Sequence, residues 1–171
     1  MRLRNGSTVD PQNKRWLFVI AIIWLAMSAW ELNSWLTKGS LIGVAYIPFF
    51  LALIVWRCAF HYELIVEDGR ILSEMSGLGY YNAWQATANE TRMLMPVRKR
   101  MLLRELGVSD FSHQYSSLDS NPMRVLLVQR AGKKNPHALL FKADDEFYGK
   151  LARELQRQNP DIIIRTMENT K

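Results

Sequence analysis

Cysteine is nearly missing from this 171-residue chain, and the one present, Cys58, excludes an internal disulfide and any zinc site built from cysteines. Histidine is scarce as well. His61, His113 and His137 lie far apart and in no ligand-spaced motif, so no metal is expected. Gly77-Leu78-Gly79 lacks the third glycine and the following helix of a dinucleotide-binding fingerprint, and no Walker loop occurs. Asp110, Ser112 and His113 supply the residue types of a hydrolytic triad, but adjacency in sequence does not supply triad geometry, and the Ser-, Asp- and Asn-rich stretch from Asp110 to Pro122 reads as a polar loop. No enzyme signature and no cofactor motif remain. The chain is therefore read as non-catalytic.

Charge is missing from two long stretches near the start. Trp16 to Leu36 carries none until Glu31, Leu41 to Phe60 carries none until Arg57, and only Thr37-Lys38-Gly39-Ser40 separates them. At about 1.5 Å per residue each run reaches roughly the 30 Å of a bilayer core, so residues 16–60 read as a two-helix membrane hairpin. The mean hydropathy of −0.12 averages this apolar third with a polar remainder long enough for one modest core.

The formal net charge of +6, with a pI near 9.6, would suggest nucleic acid in a soluble protein. No recognition motif accompanies it, and in a membrane protein such charge first sets orientation and contact with anionic lipid. Arg2, Arg4, Lys14 and Arg15 precede the first run, Lys38 stands alone between the runs, and many basic residues follow Phe60, which places both termini in the cytoplasm. Residues 1–15 have no apolar pattern and read as a basic cytoplasmic arm. A signal peptide shares this outline, but the apolar run is too long, no small-residue cleavage site ends it, and a second run follows at once. Trp16, Trp35 and Trp56 mark the interfaces, and Glu31, one turn inside the far end, is a candidate intramembrane helix contact. Gly43, Ala45, Ala26 and Ser28 offer close helix approach, and Pro48 is expected to kink the second helix.

After Phe60 the apolar period becomes two. Tyr62, Leu64 and Val66 alternate with Glu63 and Glu67, Asp68-Gly69 supplies a tight turn, and Ile71, Leu72 and Met75 return. Tyr80 to Ala86 and Arg92 to Val97 complete an expected four-strand meander. Phe111 and Tyr115 could form part of a strand within the polar stretch. Met123 to Arg130 and His137 to Lys142 read as strands around the Gly132-Asn135 turn. Asp144 can cap a helix with Phe147, Tyr148, Leu151, Ala152 and Leu155 on one face, Asn159-Pro160 stops it, and Ile162 to Ile164 is a short strand candidate in the 159–171 tail.

Six or seven short antiparallel strands followed by one amphipathic helix, over residues 61–158, resemble the pleckstrin-homology-like (PH-like) domain. The order, with two preceding spans, looks like bacterial membrane proteins that carry such domains. The resemblance rests on element order, on Glu67-Asp68-Gly69-Arg70 and on the closing Asp-Asp-Glu-Phe-Tyr helix. It implies a membrane hairpin plus an α+β cytoplasmic domain, a curved sheet or barrel plugged by the helix, at the bacterial inner membrane. It also implies binding or scaffolding rather than catalysis. The family's phosphoinositide site needs basic residues in the first hairpin, where this chain has only Arg70 among Glu67, Asp68 and Glu74, so that activity does not carry over. The basic cluster Arg98-Lys99-Arg100 with Arg104 is a candidate contact for anionic lipid or an acidic partner. Three classes follow: an assembly subunit packing against other membrane proteins or its own copies, a lipid-sensing module, and a membrane enzyme. The first is expected.

Overall fold

The computed structural model describes residues 2–7, 9–39, 42–97, 108 and 110–165, apart from the side chains of 42–45 and 54–58. Its ground plan is a helical hairpin inserted between two paired strands. Strand β1 (Arg2–Ser7) lies antiparallel to β2 (His61–Glu67), in register from Arg2↔Glu67 to Ser7↔Tyr62. Helices α1 (Pro11–Lys38) and α2 (Ile42–Ala59) occupy the connection between them. The start of the chain is thus not an arm. Leu3 and Ser7 are buried, while Arg2 faces Glu67 at 3.7 Å and Arg4 pairs with Glu63, so two of the four basic residues assigned to a basic cytoplasmic arm are cross-strand partners instead.

Helix α1 begins five residues before Trp16. The Asp10 carboxylate accepts from the Gln12 N–H at 2.9 Å and Pro11 fills the first turn, where its missing N–H costs nothing. It ends at Gly39, whose left-handed φ of 68° lets its N–H reach the Trp35 carbonyl at 2.9 Å. No residue of α1 is buried, and Trp16, Phe18, Ile23, Leu25, Trp30 and Leu36 all stand exposed around it. A helix apolar on every side cannot be stable in water, and α1 is, among the described residues, the one helix long and apolar enough to cross a membrane. The expectation of two spans therefore stands at one on these residues. Helix α2, 18 residues long and running through Pro48, packs beside it. Ala26, expected at the helix contact, is exposed instead, whereas Ser28 lines the cleft between the helices.

The first sheet is the meander β1-β2-β3-β4, with β3 (Arg70–Gly77) and β4 (Tyr80–Thr87). Its fourth member is β1, not the Arg92–Val97 strand expected there. A single 3-10 turn, Ala88–Glu90, fixed by Glu90 Oε2 accepting from the Thr87 N–H at 2.8 Å and from its hydroxyl at 3.0 Å, carries β5 (Thr91–Pro96) into a second sheet. That sheet has the order β6-β8-β7-β5-β9, where β6 is Asp110–Gln114, β7 Met123–Val128, β8 His137–Lys142 and β9 Ile163–Ile164. Asp110–Gln114 is a strand and not a polar loop. It lies parallel to β8, and β9 lies parallel to β5, so the sheet is mixed, because each of these edge strands arrives by a crossover rather than a hairpin. Nine strands are described, in two sheets that do not close into a barrel.

Helix α3 (Asp145–Gln158) seals the space between the sheets. Asp144 caps it by accepting from the Phe147 N–H at 2.7 Å. Leu151 and Leu155 are fully buried against Leu64, Val66 and Ile71 of the first sheet and Leu94, Leu126, Leu139 and Phe141 of the second. A second cluster, with Met93, Met95, Val125, Leu127 and Leu140, lies on the other face of the second sheet.

Candidate functional site

Two places combine unusual chemistry with exposure. At the edge where the sheets meet, β6 and β8 run in register with Asp110 opposite His137. The strand period of two puts Asp110 and Ser112 on one face, and His137 reaches both. Its Nδ1 lies 2.9 Å from Asp110 Oδ2 and its Nε2 lies 3.0 Å from Ser112 Oγ. With a carboxylate at Nδ1 that nitrogen carries the proton, and in the neutral ring Nε2 accepts from the serine hydroxyl. This hydrogen bond, with the charge of His137, holds the Asp110 carboxyl below its usual range. Trp84 of β4 stacks on the imidazole at 5.5 Å and 21°, and Arg130 stands 5.8 Å over the indole while donating to the Gln85 carbonyl at 2.8 Å. Lys133 and Asn135 complete an open pocket of about 320 Å³.

The triad residue types noted in the sequence are thus brought together, but with His137, 25 residues from Ser112, in place of His113. His113 packs edge-on against Phe111 and Tyr115 instead. Only the pairing of β6 with β8 selects the right histidine, and no sequence signal marks it. Ser112 sits within an edge strand paired to β8 rather than on a sharp turn. The cluster is a polar bridge between β4, β6 and β8.

The second place is the junction with the hairpin. Ser7 Oγ donates to the buried Asp119 Oδ2 at 2.7 Å and accepts from the Ser116 N–H at 3.0 Å, and Lys142 Nζ donates to the Asp119 carbonyl. The Leu118 carbonyl accepts from the Asp10 N–H at 3.3 Å and from Asn13 Nδ2 at 2.8 Å. The 115–121 loop therefore ties the domain to the first turn of α1. Leu118 also borders an apolar cleft of about 610 Å³ between α1 and α2, lined by Ile20, Trp24, Met27, Glu31, Tyr46 and Phe50 among others. Glu31, the candidate helix contact, lines this cleft. Among the described residues the Trp24 indole N–H, buried in this region, has no hydrogen-bond partner. Arg98, Lys99, Arg100 and Arg104 lie outside the described residues, as do residues 166–171 of the tail. Among the described residues no cluster of His, Cys, Asp or Glu could hold a metal ion.

No protein-family model matches the chain, and comparison with curated proteins and with solved structures finds no match.

Proposed function

We propose that the chain is a membrane-anchored assembly subunit, holding a PH-like domain at the cytoplasmic face by a two-helix hairpin and packing against spans of a larger complex. The observation that carries this reading is the insertion of α1 and α2 between the paired strands β1 and β2. Both ends of the hairpin return to neighbouring positions of one sheet, so a hairpin in the bilayer keeps both on one side. A cleaved leader fits poorly, because removal of α1 with everything before it would also remove β1 and its buried Leu3 from the fold. The β2-β3-β4 meander, antiparallel β5, β7 and β8, and the closing helix support the PH-like reading, from which the parallel β6 and β9 and the open sheets depart.

Assembly is favoured by the cleft between the helices. The Glu31 carboxylate, lining that open cleft, gains from a donor on another span. Two measurements test the reading. With Cys58 replaced by serine, single cysteines at Lys38 and at Lys133 should label from opposite sides of the membrane; labelling from the same side defeats the hairpin. Purification in mild detergent should retain a stoichiometric membrane partner that Glu31→Leu weakens, and a lone chain defeats the assembly role.

A further inference from the structure

Among the described residues of the domain, the β3–β4 hairpin tip carries the densest group of exposed large apolar side chains. Leu78, Tyr80 and Tyr81 are 66%, 51% and 62% exposed, although each could have been polar at no cost to the core. No charged residue occurs from Met75 to Asn89, and the nearest before them, Glu74, accepts from the Tyr81 hydroxyl at 2.7 Å. A protein in water does not keep such a tip without a reason, and the position of the tip supplies one. Gly77 lies so close to the end of α2 that a Cβ there would come within 2.1 Å of the Ala59 carbonyl oxygen, and Phe60 meets the Tyr80 ring edge-on at 6.3 Å. The turn is thus fixed beside the point where an apolar helix ends. On the other flank of the hairpin, Leu118 is held against the first turn of α1.

We propose that the 77–81 turn is a membrane-seated anchor, with Leu78 in the acyl boundary and the rings of Tyr80 and Tyr81 in the headgroup layer of the bilayer that holds the helices. This rests on the hairpin reading above. Tyrosine suits that layer because it offers an apolar body and a hydroxyl that stays hydrated. Two apolar contacts, the turn and Leu118, then straddle the hairpin, so the first sheet is held at a fixed tilt to the membrane and its Asp68-Gly69 end points away. The surface a partner meets is set by this tilt. The edge carrying Trp84, Arg130 and His137 lies toward the far end, since β7 and β8 have their Met123 and Lys142 ends beside the junction.

The test uses the full chain with Cys58→Ser in vesicles of phosphatidylcholine and phosphatidylglycerol. An environment-sensitive fluorophore is attached in turn at Leu78→Cys, Tyr80→Cys, Lys133→Cys and Leu25→Cys. The labels at 78 and 80 are expected to shift to the blue and to be quenched by lipids carrying a nitroxide near the headgroup, while the label at 133 stays accessible to aqueous iodide. If 25 reports hydrocarbon but 78 and 80 match 133, the anchor is refuted and the membrane helix stands. If 25 is itself open to iodide, the hairpin reading fails and takes the anchor with it.

Discussion

Arg124 is the largest fully buried side chain of the domain, 1% exposed, and its charge meets Asp145 at the start of α3, the Ala143 carbonyl at 3.4 Å and the face of Tyr148 at 4.5 Å. The two partners are unequal, since Asp145 is 88% exposed and is solvated with or without the pair. Removing the acid strands a cation that has nowhere to go; removing the cation leaves an ordinary surface acid. Asp145→Asn should therefore cost about 1–3 kcal/mol, and Arg124→Met less, which thermal unfolding in detergent checks. His137 sets a second prediction. Its hydrogen bond holds the Asp110 carboxyl below the ordinary 3.8, so the folded state favours the ionised form. That contribution is present above the unfolded value and is lost as pH falls through the lower folded value. The stability difference between the wild type and Asp110→Asn should shrink as pH falls below 3.8; a difference that grows there refutes the pairing.

Among the elements, α3 is where sequence and packing agree most closely. Its apolar face at Phe147, Tyr148, Leu151 and Leu155 was legible from spacing, and each of these residues is buried between the two sheets. Leu151→Ala should destabilise by about 2–5 kcal/mol, because the rigid strands on both sides cannot close over the cavity. Exposed positions on the same helix, such as Lys150→Ala, should change stability little. In contrast, β6 was legible only in part. Its Phe111 is exposed and its Ser112 and His113 are polar, so alternation gives no clear apolar face; its place comes from pairing with β8, whose Ala138, Leu139, Leu140 and Phe141 are buried.

At the scale of the whole molecule, the domain and the hairpin share one sheet, so they are not two modules joined by a linker. A fragment beginning at His61 lacks β1 and leaves the β2 edge and the Leu3 site open to solvent. A chain in which a two-residue Asn-Gly turn joins Ser7 to Tyr62 in place of the hairpin keeps the register of β1 with β2. That chain should be soluble, mainly β by circular dichroism, and more stable than the fragment from His61. Equal stability of the two would show that β1 adds nothing to the fold.

What the sequence by itself determined is whatever a side-chain pattern states locally: an uncharged run too apolar for water, strands that alternate, a capped amphipathic helix and the absence of metal-binding motifs. What only tertiary structure decided is the pairing of distant backbone. The partner of Arg2–Ser7 is 55 to 65 residues away, across the hairpin, and hydrogen bonds between main chains leave no mark in residue identity, so a strand with one buried leucine reads as a basic arm. For the same reason His137 rather than His113 joins Asp110 and Ser112. Sequence places those three residue types in one chain, and only the parallel register of β6 on β8 brings them within 3.0 Å.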